Sequence, residues 1–348
     1  DLWAENADPE SDPVWHALRA RLRGLAPPGS DALSASTRAL PLASRGVRTL
    51  SLLRATGAAL GAPIRSALPR GAIYLNVGHF GIAVPRFVRW LDDRRDVSAV
   101  FMLHDVIPLE AAEYCAPRAA GFHMRMVRAT ARHASGLIVT TDHARATVSA
   151  ALRDCGRHHI PTFARGLPLA AVFDERPDPP PELAGLCYFV MCGSIEPRKN
   201  HTLLLETWAR LVETLGDWAP ALVIVGSPAW RGREILEEIL SRPTTARHVH
   251  VVSGLSSPAL KRLIAGATAS LMPSFAEGFG LPLIEARDLG VPVVASDIPA
   301  HREVVGEGDL LLDPADSAAW ARAVTTLAEA RAAGRLERGR VPEGARDG

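Results

Sequence analysis

A glycine-containing turn with a carboxylate on each side is the part of the sequence best suited to chemistry. Its residues run Glu277, Gly278, Phe279, Gly280, Leu281 and Pro282, and Glu285 follows three residues later. Pro282 suits the first turn of a helix and Gly290 the position after its last residue, which predicts a short helix over residues 281–289. The backbone N–H groups of Gly280 and Leu281 then lie at a helix N-terminus, where unpaired donors and the helix dipole favour a phosphate.

A basic loop lies about eighty residues upstream of this turn. It reads Gly193, Ser194, Ile195, Glu196, Pro197, Arg198, Lys199 and Asn200. The apolar run Cys187–Cys192 precedes the loop and a helical pattern begins at His201, with Asn200 predicted as the N-cap. Arg198 and Lys199 are therefore expected to project from a strand-to-helix loop, where cations can bind a diphosphate.

Together these two segments resemble the donor-binding half of GT-B glycosyltransferases, specifically the large retaining family 4. The E-x7-E motif of that family is matched by Glu277 and Glu285, and its basic loop by the Pro-Arg-Lys-Asn sequence. The resemblance is close from about Tyr188 to Ala330 and looser from Ala72 to Phe173. It implies an α/β fold with two doubly wound, Rossmann-like parallel-sheet domains that face a central cleft holding the site.

The resemblance also implies roles for the residues of the two motifs. Glu277 would contact the hydroxyls of the transferred sugar, and Glu285 the ribose of the nucleotide. Arg198, Lys199 and the helix N-terminus would stabilise the diphosphate leaving group without a metal or other cofactor. Loop residues would contact the donor through their backbone, namely Gly193, Gly254, Leu255, Gly278, Phe279, Gly280 and Leu281. For Gly254 and Leu255, an ordinary strand-to-helix turn is the alternative interpretation.

Further candidates follow strands in the first half of the chain. His104 and Asp105 come after a strand ending at Leu103, and the resemblance implies that His104 orients a hydroxyl of the acceptor or of the donor sugar. Asp105 would then fix the imidazole tautomer or bind the acceptor. The alternative is a purely structural histidine. A second glycine loop after a strand is a candidate for acceptor or phosphate contact, through Gly78, His79 and Gly81.

Composition narrows the classes of function. The net charge is +1, with +4 on residues 1–183 (22 Arg against 18 Asp and Glu) and −3 on the remainder. This balance does not favour nucleic-acid binding, but it leaves open a peripheral contact of the first half with a membrane. Four cysteines lack C-x-x-C spacing, so neither a zinc site nor a disulfide framework is expected. No long apolar run or signal sequence stands out, and we expect a cytoplasmic protein.

A chain of 348 residues suits two domains. Apolar runs alternating with helical patterns predict parallel strands over 72–77, 99–104, 136–140, 187–192, 221–225, 248–252, 269–272, 292–295 and 310–312. A proline-dense segment after Phe173 predicts a linker. We expect an N-terminal acceptor-side domain over 1–176, a linker over 177–183, a nucleotide-sugar-binding domain over 184–334 and a disordered tail over 335–348. Residues 1–70 lack the family's usual glycine-rich loop and the chain begins with Asp, so the first domain is expected to be incomplete at its start. Helices are predicted over 15–25 and 50–60.

The function expected from this resemblance is a retaining, metal-independent hexosyltransferase. It would move a sugar, with mannose favoured by a general likeness to mannosyltransferases, from a GDP- or UDP-sugar to a saccharide or lipid-linked acceptor in polysaccharide synthesis. Two alternatives stay open. One is a nucleotide-sugar epimerase or hydrolase of the same fold, for which Asp105 could be the base. The other is a non-catalytic relative that binds a nucleotide sugar.

Overall fold

The computed structural model describes residues 8–26, 31–34, 64–174, 177, 179–243 and 245–345. Its strands are β1 (Leu33–Ser34), β2 (Ile73–Asn76), β3 (Ser98–Met102), β4 (Ala134–Val139), β5 (Thr162–Ala164), β6 (Tyr188–Cys192), β7 (Ala221–Val225), β8 (Val249–Ser253), β9 (Ala269–Met272), β10 (Val293–Ser296) and β11 (Leu310–Leu312). Its α-helices are α1 (Pro13–Leu22), α2 (Ile64–Ala67), α3 (His79–Ile82), α4 (Pro85–Val88), α5 (Ile107–Glu110), α6 (Ala119–His133), α7 (Asp142–Asp154), α8 (His201–Leu215), α9 (Gly232–Ser241), α10 (Ser257–Gly266), α11 (Leu281–Asp288), α12 (Pro299–Val304) and α13 (Ser317–Ala332).

The chain divides into two compact units. The larger unit takes in Asp1–Ala35, Ala111–Ala116 and Gly166–Gly348, and the smaller one Ser36–Glu110 and Pro117–Arg165. Each unit has one sheet, and all the strand pairs described in both sheets are parallel. The two sheets confirm the α/β prediction.

The sheet of the larger unit has the strand order β1-β8-β7-β6-β9-β10-β11. Its central strands are continuous apolar runs: every residue of Tyr188–Cys192 and of Ala269–Met272 is buried. This pattern is expected when helices cover both faces of a parallel sheet. Because β6 and β9 are neighbours, the loops that follow them emerge side by side at the carboxyl edge of the sheet.

Helix α8 anchors the first of these loops to the core. Its apolar face buries Leu204, Trp208 and Leu211, and the Trp208 indole N–H donates to the Pro220 carbonyl at 2.8 Å. The 15-residue helix therefore holds its first turn, and the basic loop before it, in a fixed place against the sheet.

The smaller unit has the strand order β2-β3-β4-β5. Its core is built around Phe101 and Leu137 from the sheet together with Met126 and Val127 from α6. The residues after β3 and β4 are held together, because the Thr140 hydroxyl donates to the His104 carbonyl at 2.7 Å.

Most strands predicted from the sequence are present within one or two residues of the expected bounds. Two short strands were not predicted: β1, which has two residues, and β5, which has three. The helix predicted over 15–25 is α1, which starts two residues earlier. The helix predicted over 50–60 lies outside the described residues.

The unit boundaries differ from the domains predicted from the sequence. Residues up to 35 had been assigned to the first domain, but α1 packs in the larger unit, where Trp15 and Leu18 are fully buried in the same cluster as Leu183 and Leu263. The reason is the strongly apolar face of α1, which sequence periodicity detects without showing which core it joins.

The segment after α13 also differs from the disordered tail predicted from the sequence. Val341 is 1% exposed, and its N–H donates to the Gly308 carbonyl at 2.8 Å. The Gly339 N–H donates to the Gly290 carbonyl at 2.8 Å. One buried valine and backbone hydrogen bonds are enough to dock a segment whose composition is mostly polar, so the prediction of an undocked tail is corrected as far as residue 345.

Candidate functional site

The loops after β6 and β9 bring the predicted cations and the first predicted carboxylate into direct contact. The Lys199 ammonium lies 2.5 Å from Glu277 Oε1, and Arg198 Nη1 lies 2.8 Å from Glu277 Oε2. Each carboxylate oxygen of Glu277 thus has its own cation. We call Glu196, Arg198, Lys199, Ser274 and Glu277 the cation–carboxylate cluster.

Further hydrogen bonds fix the members of the cluster. The Ser274 hydroxyl donates to Glu277 Oε1 at 2.7 Å. Arg198 also donates to the Ala276 carbonyl at 2.7 Å and to Glu196 Oε1 at 2.8 Å. Glu196 and Ser274 were not assigned a role from the sequence; the only signal was their position inside the two motifs.

Burial and charge act in opposite directions on Glu277, which is 9% exposed. Burial alone would raise the pKa of its carboxyl, but the charges of Lys199 and Arg198 and the hydrogen bonds from Lys199 and Ser274 lower it to about 2. The pKa of Arg198 is raised, because the two glutamates beside it outweigh its own burial. Glu277 and Arg198 are therefore both ionised at neutral pH.

The basic loop reaches this geometry through a left-handed residue. Asn200 has φ +56°, and its side-chain amide donates to the carbonyls of Pro273 at 3.0 Å and Pro314 at 2.8 Å. Asn200 occupies the N-cap position of α8, but its side chain makes no capping hydrogen bond, so the predicted capping role is wrong. Its amide instead ties the basic loop to the loops after β9 and β11.

Two glycines make room for the basic loop. A Cβ on Gly226 would lie 1.8 Å from the Gly193 carbonyl oxygen, so only glycine fits at this close approach of two backbones. Gly193 itself has φ +150°, and a Cβ there would lie 3.2 Å from the Lys199 side chain. The absence of a side chain at Gly193 thus leaves room for the Lys199 side chain to pass over the end of β6.

Glu285 lies elsewhere in the same unit, in the second turn of α11. Gly280, with φ +92°, precedes this helix, as the sequence predicted. Burial raises the pKa of Glu285. Its charge acts on Cys192 at the end of β6, where burial first and Glu285 second raise the pKa of the thiol to about 12. The two carboxylates of the motif therefore sit in opposite electrostatic environments.

A histidine without a predicted role lies close to this turn. The buried ring of His301 has Nδ1 2.9 Å from the Ser296 carbonyl, and Nε2 has no hydrogen-bond partner among the described residues. A Cβ on Gly280 would lie 3.4 Å from the ring. Burial lowers the pKa of His301, although the charge of Glu277 opposes it. No sequence motif pointed to this residue.

The other predicted donor-loop residues lie at strand ends of the larger unit. Gly254, with φ +77°, and Leu255 follow β8, and Ser256 caps α10 by accepting from the Ala259 N–H at 3.4 Å. The Ser256 N–H donates to Asp12 at 2.8 Å. This turn thus has the ordinary capping geometry that the alternative interpretation expected, which is compatible with backbone contacts to a base. Gly278 and Phe279 lie between Glu277 and the start of α11.

The candidates of the first half of the chain belong to the smaller unit. Asp105 accepts from the Ile107 N–H at 3.0 Å and so begins α5. Burial lowers the pKa of His104, opposed by the charge of Asp105. The Gly78 N–H donates to Asn76 at 3.0 Å, and Gly81 lies in α3. The side chain of His79 lies outside the described part of the chain.

Two kinds of feature are absent from the described residues, a metal-binding cluster and a membrane-spanning helix. No group of three or more His, Cys, Asp or Glu side chains is placed to hold a metal ion within the ranges that the structure describes. Over the same ranges, no helix has the length and apolar character needed to cross a membrane.

The comparisons with known proteins agree with the family resemblance carried by the loops after β6 and β9. Residues 187–330 match the family model of the glycosyl transferases group 1. The serotype-specific mannosyltransferase WbdA of Escherichia coli is 29% identical over 239 residues, which is 64% of this chain and 29% of the relative. The O-antigen chain mannosyltransferase B of Escherichia coli is 36% identical over 136 residues, 39% of this chain and 35% of the relative. The chain spans about a third of the length of these curated relatives.

A solved structure supports the fold. HepE of Anabaena, in complex with UDP-glucose, matches with a TM-score of 0.57 at 18% identity, over 76% of this chain and 74% of HepE. The matches confirm the resemblance that the two motifs indicated. The chain has the GT-B fold, and its residues 187–330 are similar to the glycosyl transferases group 1.

Proposed function

We propose that the chain is a glycosyltransferase that holds the diphosphate of a nucleotide sugar beside the cation–carboxylate cluster. The observation that carries the proposal is the pair of cations in the loop after β6, which contact Glu277 from the loop after the neighbouring strand β9, next to the glycine turn that opens α11. An ammonium has three N–H donors, and Glu277 takes one from Lys199. Donors on Lys199 and Arg198 thus remain for phosphate oxygens.

The reaction that fits these groups is transfer with retention of anomeric configuration. The bond between the anomeric carbon and the diphosphate oxygen breaks while the acceptor hydroxyl attacks from the same face, and the leaving phosphate takes the acceptor's proton. Negative charge grows on the diphosphate as this happens, and Arg198 and Lys199 stabilise it. Cations of the protein thereby take the role that a metal has in other glycosyltransferases.

The identity of the sugar and the acceptor rests on the relatives. WbdA and mannosyltransferase B are named as mannosyltransferases, the latter of an O-antigen chain, so we propose mannose as the sugar and a saccharide or lipid-linked saccharide as the acceptor. A lipid-linked acceptor would bring the protein to the cytoplasmic face of a membrane. Backbone groups near Gly254 would contact the nucleotide base of the donor. Side chains there do not indicate which base it is, so the experiment below compares GDP- and UDP-sugars.

The test is an incubation of the protein with GDP-mannose, UDP-glucose and UDP-GlcNAc, each with and without a lipid-linked mannoside. Glycosylated acceptor, formed with one donor and about 10² times more slowly in Lys199→Ala, is the expected result. Release of the free sugar or its epimer without acceptor would instead identify a hydrolase or an epimerase. Nucleotide binding without any product would identify a non-catalytic relative.

A further inference from the structure

A cavity of about 470 Å³ lies next to the basic loop in the larger unit. It is formed by the first turns of α8, by α9 and by the loops after β9 and β11. Pro197 and Asn200 line it, and these two residues flank the cations Arg198 and Lys199. The size is within the range of small-molecule sites. Arg198, Lys199 and Glu277 do not line this cavity.

Two aromatic rings form one wall of the cavity. Tyr114 stacks on Phe275 with ring centroids 4.7 Å apart and planes 12° apart. Both rings are half-buried and line the cavity. Aromatic side chains give a site a flat apolar surface, which suits the C–H face of a pyranose ring.

Carboxylates also line the cavity. Glu206 comes from α8, while Glu234 and Glu238 come from α9. Glu234 pairs with Arg231 at 2.8 Å and Glu238 with Arg242 at 2.5 Å. The three carboxylates outnumber Arg231, the one cation among the described residues of the lining, which disfavours a phosphate or nucleotide, whereas carboxylate oxygens accept hydrogen bonds from hydroxyl groups. The lining therefore favours a neutral ligand rich in hydroxyls.

His201 is among the residues that line the cavity and is 1% exposed. Burial and the charge of Lys199 lower its pKa to about 4, although a hydrogen bond with the Glu196 backbone opposes this shift, so the ring is neutral. His201 therefore adds no positive charge to the lining.

We propose that this cavity is a saccharide subsite, separate from the donor site, that holds sugar units of the acceptor. The proposal rests on the proposed function for the choice of ligand, and on the aromatic wall and the carboxylates for the site itself. The Phe275 N–H donates to the Arg198 carbonyl at 2.9 Å. This hydrogen bond places the cavity wall beside the loop that carries the cations, so the two sites are neighbours with separate linings.

The test is saturation-transfer NMR of the full chain with methyl α-mannoside and with an α-mannobiose as probes. We expect binding of the disaccharide that weakens at least about fivefold in Glu206→Gln and in Phe275→Leu. Glu213→Gln is the matched control, since Glu213 is an exposed glutamate on the same helix that does not line the cavity. Glu206 is itself exposed, so its substitution leaves folding intact even where Phe275→Leu does not.

The outcomes separate the subsite from the proposed function. Equal disaccharide binding in Glu206→Gln, Glu213→Gln and the parent protein, or displacement of the disaccharide by GDP or UDP, would overturn the subsite. Disaccharide binding that follows the cavity variants and persists in Lys199→Ala supports it, even if no donor is turned over and the proposed function fails. Transfer activity without any disaccharide signal would leave the function standing and overturn the subsite.

Discussion

The Lys199 ammonium lies 2.5 Å from Glu277 Oε1, and neither side chain is more than 8% exposed. Two residues 78 positions apart in sequence thus share one buried ion pair. A buried pair is stabilising only while both charges are present, because either charge alone lacks the water that would solvate it. The stability of this part of the fold and the position of its cations therefore depend on the same contact.

Glu277→Gln should destabilise the fold. The substitution leaves Lys199 and Arg198 buried without the carboxylate that lowers their energy, and we expect a loss of about 3 kcal/mol in unfolding free energy. Chemical denaturation at pH 7 measures this, with Glu213→Gln as the exposed control. The parent protein should also lose this contribution in acid: the pKa of Glu277 is depressed, so its stabilisation is present above about pH 4.5 and declines toward pH 2. A parent and a Glu277→Gln variant with equal stability at pH 7 would contradict the assignment.

Glu285→Gln should have the opposite effect on stability. Burial raises the pKa of Glu285 in the folded protein above its value in the unfolded chain. Ionisation of Glu285 therefore destabilises the fold, and this destabilisation is fully present above the folded-state pKa. A neutral isostere should leave the melting temperature at pH 8 unchanged or higher. We also expect weaker binding of the nucleoside diphosphate, measured by calorimetry, because the proposed partner is the ribose. A clear drop in melting temperature would show that the ionised form makes a stabilising contact.

Lys199→Ala and Arg198→Ala should each lower kcat/KM by about 10², which corresponds to about 2.7 kcal/mol of lost transition-state stabilisation. Lys199→Ala also removes the partner of Glu277, so the double variant Lys199→Ala with Glu277→Gln separates the two effects. Recovery of stability in the double variant without recovery of turnover is expected. Steady-state kinetics that match the parent protein in both single variants would remove the diphosphate assignment.

Transfer should continue in excess EDTA. Arg198, Lys199 and the N-terminus of α11 are expected to provide the positive charge that stabilises the leaving group. The measurement is the rate of acceptor glycosylation before and after chelation, with a known metal-dependent glycosyltransferase treated in parallel. Activity that disappears with EDTA and returns with Mg²⁺ or Mn²⁺ would refute metal independence.

Val341→Ala should lower the unfolding free energy by about 1–2 kcal/mol, because Val341 is 1% exposed and loses two buried methyl groups. Arg340→Ala, at the exposed neighbouring position, is the control. Thermal unfolding measures both. If the two variants melt together with the parent, the segment after α13 does not dock in solution.

The sequence predicted what depends on local pattern and missed what depends on distant partners. The runs at Ala221–Val225 and Ala269–Met272 were found at their observed bounds, because buried parallel strands are continuously apolar. β1 was missed because two residues carry no periodicity. Val341 was missed because one valine among charged residues shows its burial only when the surface that receives it is known.

For the candidate site, too, the sequence predicted the local features and missed the contacts between distant residues. The glycine turn and the basic loop could be read from local sequence, but the contact between Glu277 and Lys199 depends on β6 and β9 being neighbours. The sequence also predicted that Arg198 and Lys199 project toward a ligand. In the structure both are engaged with glutamates, because a buried cation without a counterion is costly.

The hydrogen bond from the Ser256 N–H to Asp12 joins residues 244 positions apart. During translation at about 5–20 residues per second, the helix that Asp12 begins would therefore leave the ribosome roughly 10–50 s before its partner is made. Throughout that interval the core that buries Trp15 and Leu18 is incomplete, while the whole smaller unit is synthesised. The order of synthesis thus makes the amino-terminal helix a ready target for chaperones, and slower translation of the second half would lengthen its exposure.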